Sequence, residues 1–370
     1  MNNKTIEIIG DKCYGCRVCE SKCPFEAIKF KFDKEGFLIP TINNEKCTHC
    51  GLCLQNCPAN KNITYNNFAK KYYGFSHPNQ TTLIQSASGG FATYMSEKTI
   101  EHNGYVCGCI YSDDNEVIHI VSNKLNDIKK MQSSKYVQSN LKNVFKDIYN
   151  LLNNNDNVLF IGTPCQIHAL NIFLNKEYNN LLTIDLICHG VPSPKSFDMF
   201  LKSIDNPSNI KLNFRAKEND DWGLKYKLET SRKITSDYLF NLSYAKDFLE
   251  GKNYRQCCYK CPFANHKNRP GDITIGDFWG IDKIKKDYNK KGVSCIIVNT
   301  LKGENYINKY SVELFNSSLE DIINNQHNLK SPTKKPNSRD TYFNKISINY
   351  FKRKQFIINV KKNIKKLLGK

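Results

Sequence analysis

Two hydrophobic periods alternate along the chain after the segment NITYNNFAKKYY. Short apolar runs of strand length stand at GYVCGCIY, EVIHIVS, NVLFIG, LLTIDLIC and KGVSCIIVNT. Between them, LKNVFKDIYNLLN, GTPCQIHALNIFL and SFDMFLKSI repeat their apolar residues every three to four positions, the spacing of a helix with one buried face. SASGGFATYMSEKTIEHNG reads as a glycine turn opening a helix, with Ser88 as its N-cap. IKLNFRA and WGLKYKLET read as further strands, and SDYLFNLSYAKDFLEG as a helix. Strands alternating with helices predict a mixed α+β or α/β domain. By contrast, RQCCYKCPFANHKNRPGDITIGDFWG carries no clear period and places three cysteines, Cys257, Cys258 and Cys261, in five residues.

The first sixty residues follow a different rule. Cys13, Cys16, Cys19 and Cys23 precede Pro24; Cys47, Cys50, Cys53 and Cys57 precede Pro58, so every cysteine recurs at an offset of 34. Each half is the C-x2-C-x2-C-x3-C-P run of bacterial dicluster ferredoxins. In that pattern three closely spaced thiolates hold one cubane and the fourth reaches across to the other. The spacing therefore assigns Cys13, Cys16, Cys19 and Cys57 to one [4Fe-4S] cluster, and Cys47, Cys50, Cys53 and Cys23 to a second. Paired zinc sites are the rival, but zinc ligands come as two C-x2-C pairs separated by a longer loop. His49 lies inside the second run and reads as an exposed loop residue.

Composition narrows the setting. The 370 residues suffice for two or three domains with a sizeable core. No apolar run approaches the roughly 20 residues of a membrane span, and MNNKTIEIIGDK lacks a signal-peptide core. A cytoplasmic, reducing setting is expected, where sixteen cysteines point to metal before disulfides. Of the net charge of +19, residues 331–370 hold +11, from twelve Lys and Arg against Asp340. The remainder is only mildly basic, which argues against a nucleic-acid partner.

Two more cysteines have a telling place. Cys165 and Cys188 follow successive predicted strands, where ligands of open α/β sheets gather. With the C-x2-C of Cys258 and Cys261 they complete four thiolates, the ligand set of a third [4Fe-4S] cluster. Cys107, Cys109 and Cys295, inside strands, read as packing residues. Two turns, Ser88-Gly89-Gly90 and Gly162-Thr163-Pro164, each lead into a helix and offer N–H groups to an anion. Neither matches a named phosphate fingerprint.

The ordered motifs SASGGFAT, SSKYVQS, VLFIGTPCQIHAL, DLICHGVPSP, NFRAKENDDWG and CYKCPFANHKNRPGDITIGDFWG resemble the family of coenzyme F420 hydrogenase/dehydrogenase beta subunits, behind a two-cluster ferredoxin. The resemblance runs to about residue 300. It implies a ferredoxin domain over 1–66 and a flavin and iron–sulfur domain over 70–330, with FAD and a further [4Fe-4S] cluster. Electrons would pass to a small-molecule two-electron acceptor, coenzyme F420 in several members. It also implies an electron donor or acceptor protein, a ferredoxin or an oxidoreductase subunit, as partner. Cys165, Cys188, Cys258 and Cys261 fall on its cysteine motifs. Ser88, Gly89 and Gly90 fall on its phosphate-side turn, and Lys135, Tyr136, Lys217 and Trp222 on segments around the flavin. Lys135 and Arg215 are candidates to stabilise reduced flavin, and His189 to supply a proton. Cys257 makes a doublet where one cysteine is expected, as a spare thiol or an alternative ligand. Relatives without F420 include proteins found among polysaccharide-synthesis enzymes, so a reductase or electron-delivery subunit of that kind is the alternative.

The last segment, 331–370, reads as a basic tail. Phe356, Val360, Ile364 and Leu367 share a helical face flanked by Lys361, Lys362, Lys365 and Lys366. It suits a terminal helix on the protein or a partner, or peripheral contact with the anionic inner face of a membrane.

Overall fold

The computed structural model describes residues 5–62, 64–65, 70–217 and 222–368. The domain boundary expected at residue 66 and positions 218–221 of the NFRAKENDDWG motif lie outside them.

The 34-residue repeat is written into the backbone as well as the cysteines. α1 (Val18–Ser21) and α2 (Leu52–Gln55) are equivalent four-residue turns. Each follows a left-handed residue, Arg17 at φ 63° and Gly51 at φ 75°, and the preceding loops turn at Gly15 (φ 70°) and His49 (φ 54°). Between the helices, β1 (Ile28–Phe32) and β2 (Leu38–Ile42) form an antiparallel hairpin. Ile6, Ile9 and Ile28 pack with Cys19 and Cys57 in a small core.

The rest of the chain builds one large sheet and one small one. In chain order come β3 (Lys71–Phe75), α3 (Gln80–Gln85), α4 (Phe91–Glu101), β4 (Tyr105–Tyr111), β5 (Val117–Ser122), α5 (Leu125–Met131) and α6 (Val144–Asn153). Then follow β6 (Val158–Gly162), α7 (Pro164–Leu174), β7 (Leu181–Leu186), α8 (Pro194–Ile204), β8 (Lys211–Asn213), β9 (Lys225–Glu229), β10 (Ile234–Tyr238) and α9 (Ser243–Leu249). The last elements are β11 (Ile273–Asp277), β12 (Ser294–Val298), α10 (Leu301–Lys309), β13 (Phe315–Asn316), α11 (Leu319–Ile323), α12 (Arg339–Lys345) and α13 (Ile348–Leu367). The large sheet has the order β13-β3-β12-β11-β7-β6-β4-β5. Its centre, β11-β7-β6-β4, is parallel, and antiparallel strands flank it on both sides.

Both faces of that centre are buried, which is why its strands are mainly apolar. Phe91, Met95, Ile184, Ile273, Ile296 and Ile307 pack on one face. Phe145, Ile148, Phe160, Ile167 and Leu170 pack on the other. The small sheet, β10-β9-β8, closes over a separate aromatic core that includes Phe197, Phe214 and Tyr244.

Three local expectations are corrected. The helix expected over SDYLFNLSYAKDFLEG begins only at Ser243, because Ile234–Tyr238 pairs with β9 as a hairpin. Gly90 caps α4 in place of Ser88; the Ser88 hydroxyl donates to the Val293 carbonyl at 2.8 Å. The aperiodic DITIGD segment is a central strand, β11, flanked by β7 and β12.

Candidate functional site

Every cysteine of the chain is unpaired. Cys13, Cys16, Cys19 and Cys57 lie close enough to perturb one another's ionisation. Cys23, Cys47, Cys50 and Cys53 line a single concavity with Pro24, His49 and Gly51. The fold thus brings together the crosswise sets that the spacing predicts. Burial pushes the unloaded thiols up, Cys57 to about 11. Main-chain N–H groups work the other way: Gly15 donates to Cys13 Sγ at 3.3 Å, and amides of Val18, Glu20 and Ala59 face Cys16, Cys19 and Cys57. Amides aimed at buried sulfurs suit thiolates that ligate iron. Among the described residues no three His, Cys, Asp or Glu side chains converge on a point for one metal ion. A cubane spreads its ligands over four irons and does not require such convergence.

The second thiol group is assembled from three distant segments. β6 ends at Gly162, Thr163 and Gln166 form a capping box, and Cys165 sits in the first turn of α7. The neighbouring parallel strand β7 ends at Leu186, two residues before Cys188. A short helical turn, Gln256–Lys260, carries Cys258 and leads to Cys261. These four cysteines are mutual electrostatic neighbours. Burial raises Cys188 to about 12 and Cys261 to about 11, while amides of Gly190, Phe263 and Ala264 favour their thiolates. The side chains of Cys257 and Cys258 are hydrogen-bonding neighbours.

A buried ion pair fixes this assembly. Arg269, in the loop after Cys261, pairs with Asp185 near the end of β7, both inaccessible to solvent. The same guanidinium donates to the carbonyls of Phe263 at 2.7 Å and Leu186 at 2.8 Å. The Gly271 N–H donates to Asp185 Oδ2 at 2.9 Å. The loop bearing Cys258 and Cys261 is thereby tied to the strand that delivers Cys188.

A cleft of about 300 Å³ opens beside Cys188, along the carboxyl ends of β4, β6, β7 and β11. At one side stand Ser88, Gly90 and the start of α4, whose N-terminus has no side-chain cap. Gly89 lies behind them, so close to Phe75 O and the Ser294 amide that any Cβ would collide. Lys135, Tyr136, Gly162, Thr163 and His189 also line the cleft. The Lys135 ammonium donates to the carbonyls of Gln132 at 3.0 Å and Met131 at 3.2 Å, and burial lowers its pKa. Burial likewise lowers the pKa of His189.

Besides Gly89, two of the expected residues stand outside the lining. Lys217 supports the turn from behind, holding the carbonyls of Leu83 and Ser88, with its pKa lowered to about 7 by burial and by Arg215. Trp222 stacks on Trp279 at 5.0 Å, and Trp279 forms the wall. Arg215 reaches the cleft with its charge held by Asp277 through bonds of 2.7 and 2.9 Å.

Sequence reasoning missed His119, Asp277 and Trp279. His119 is the most informative: it is 3% exposed, lines the cleft, and neither ring nitrogen has a hydrogen-bond partner. The Ile161 backbone lies near the ring and favours its charged form, outside bonding geometry. Burial dominates and lowers its pKa to about 4, so the ring is neutral at pH 7. A buried imidazole without a partner is costly unless a ligand supplies one. Strand alternation could have placed it on a buried face, but nothing in the sequence says that face meets a cleft.

Two segments of the chain match known families. Residues 12–61 match a 4Fe-4S dicluster domain, and residues 155–316 match the family described as the C terminus of the coenzyme F420 hydrogenase/dehydrogenase beta subunit. Over 51 residues the chain is 45% identical to the ferredoxin-type protein NapF of Haemophilus influenzae; this covers 14% of this chain and spans 28% of that protein. It is 22% identical to an F(420)H(2) dehydrogenase subunit of Methanosarcina mazei, covering 85% of this chain and 87% of that one. Among solved structures, the F420-reducing [NiFe] hydrogenase complex of Methanosarcina barkeri has a chain aligning with a TM-score of 0.47 at 14% identity, over 80% of this chain and 91% of its own. Residues 12–61 are thus similar to 4Fe-4S dicluster domains, and residues 155–316 to the C terminus of coenzyme F420 hydrogenase/dehydrogenase beta subunits.

Proposed function

We propose that the protein is an iron–sulfur flavoprotein oxidoreductase, with two [4Fe-4S] clusters in its N-terminal segment, a third at Cys165, Cys188, Cys258 and Cys261, and FAD in the cleft. The observation that carries this reading is the adjacency of that thiol group to the cleft: Cys188 belongs to both. The uncapped N-terminus of α4 and the unpartnered His119 suit a large, phosphate-bearing, hydrogen-bonding ligand. A bound flavin would supply the exchange between single electrons and a hydride, and bound clusters the single electrons.

The chain's own residues do the rest. Amides of the first turn of α4 hold phosphate, and Gly89 lets the turn pack closely on the Phe75 and Ser294 backbone behind it. Lys135 places a cation near the ligand, and neutral His189 is positioned to take or give a proton at its ring. The Trp222–Trp279 stack forms an apolar wall that limits water. Cys50, the exposed member of the second N-terminal set, marks the face where a one-electron carrier protein or partner subunit would meet the chain. The acceptor is an organic two-electron carrier such as F420. The alternative is electron delivery to a partner, or reduction of an intermediate of polysaccharide synthesis, without F420. The setting proposed is the cytoplasm, with the basic end of α13 resting on the membrane's inner face.

The decisive experiment counts iron, acid-labile sulfide and flavin on protein reconstituted without oxygen. About twelve irons per chain with bound flavin supports three clusters beside FAD. About eight irons, or no flavin retained, overturns the site at Cys165–Cys261. A colourless preparation overturns the reading altogether.

A further inference from the structure

One residue joins the segments that carry the two buried thiol groups. The main chain of Arg255 belongs to the central domain: its N–H donates to Val191 O at 3.0 Å, and its carbonyl accepts from the Cys258 N–H at 3.0 Å. Its guanidinium belongs to the N-terminal segment. Nε donates to the Cys13 carbonyl at 2.6 Å and one terminal nitrogen to the Leu38 carbonyl at 3.0 Å. The other terminal nitrogen donates to Gln138 Oε1 at 3.0 Å, and Gln138 in turn donates to the Tyr14 carbonyl at 2.9 Å. Gly15 completes the contact. A Cβ there would stand 2.8 Å from Gln138 Nε2 and 3.0 Å from the guanidinium, at a φ of 70°.

The two groups meet at this point. Cys165 lies near enough to Cys16 to act on it electrostatically across the boundary, and Tyr14 has Cys16 of the one group and Cys165 and Cys261 of the other among its neighbours. Arg255 is 4% exposed, and the hydrogen-bond acceptors of its guanidinium are neutral oxygens. A buried guanidinium whose charge is not cancelled by a bonded carboxylate acts on any negative centre nearby. Cluster potentials respond to such charge and to hydrogen bonding around the ligands.

We infer that Arg255 is a positioning residue. It fixes the spacing between the Cys13–Cys57 site and the Cys165–Cys261 site, and its charge favours the reduced state at both. The inference rests on the proposal that both sites hold [4Fe-4S] clusters. The step it serves is a single-electron exchange: one electron leaves one site as one arrives at the other, with no bond broken and no proton moved. The set of Cys23, Cys47, Cys50 and Cys53 lies outside the contact and provides an internal reference.

The test uses the full chain, reconstituted without oxygen, titrated with a low-potential reductant and followed by electron paramagnetic resonance. In Arg255→Met the potentials of the two buried sites should move lower while the reference site stays in place. Spin–spin broadening between the two sites should weaken. Arg255→Lys should restore the potentials but not the broadening, because it keeps the charge and loses the planar fork. Gly15→Ala, which pushes the fork away, should also weaken the broadening. If Arg255→Met does not hold iron, the lysine and alanine variants decide. Twelve irons in the wild type with unchanged broadening in those two overturns the inference alone. Unchanged potentials in an iron-replete Arg255→Met overturn the electrostatic part. About eight irons in the wild type overturns the underlying proposal, and the inference with it.

Discussion

The two thiol-bearing regions of this molecule are built on opposite principles. The N-terminal segment carries eight cysteines on two short loops, with a core of three isoleucines helped by cysteines. So small a core cannot hold a fold unaided, so bound metal would supply much of the folding free energy there. The second region carries four cysteines on the ends of strands whose faces are already buried by helices on both sides. Its thiols are placed by protein packing and by the Arg269–Asp185 pair, before any metal is considered. On the proposed reading, one region would be shaped by its ligand and the other would be shaped for it.

Breaking the Arg269–Asp185 pair should separate the regions most sharply. Arg269→Met leaves Asp185 buried and unpaired, which costs about 3–5 kcal/mol. Thermal denaturation should show a large loss in the central domain, while the N-terminal iron signal survives. Next in size is removal of iron by a chelator. Circular dichroism should show the N-terminal segment losing order while the central sheet persists; a unified loss would mean that both regions depend on metal. Cys188→Ser should be narrower still. It is expected to remove about four of about twelve irons and to halt reduction of bound flavin, with the folded central domain retained in denaturation curves.

A smaller effect belongs to His119. Its folded pKa of about 4 lies below its ordinary value of 6.5. The unfolded chain therefore binds more protons in that interval, and stability falls as pH drops from about 6.5 toward 4. His119→Phe should flatten this acid limb in a pH series of melting temperatures and weaken flavin retention. The smallest effect concerns α13. Phe351 and Ile358 bury its inner face, but Phe356, Val360, Ile364 and Leu367 remain exposed among lysines. Truncation after residue 359 should leave stability nearly unchanged and abolish flotation with anionic vesicles, each nearby lysine contributing about 1 kcal/mol. Flotation that survives truncation would end the membrane assignment.

Arg339 shows how tightly the regions are nonetheless joined. It lies in the segment read from sequence as a basic tail, yet it is fully buried. Its two terminal nitrogens grip Glu35 of the N-terminal hairpin at 2.6 Å each, and it also donates to the Tyr254 carbonyl. Composition gave no hint of this, since one arginine among eleven other cations looks like solvated charge.

What the sequence by itself determined was local. The recurrence at 34 residues specified which cysteines cooperate, because loop spacing groups three sulfurs of each set and the repeat pairs each trio with the other half's fourth, and the same offset governs the left-handed residues of the backbone. Apolar periods located most strands and helices, because burial of one face or two imposes them. The tertiary structure decided everything that depends on strand order. It brought Cys165 and Cys188 to Cys258 and Cys261 by pairing β6, β7 and β11 side by side. It made a central strand of the aperiodic DITIGD, turned His119 toward a cleft, and set Lys217 and Trp222 behind it. These placements rest on contacts between residues far apart in the chain, and a one-dimensional pattern holds no record of which strands become neighbours.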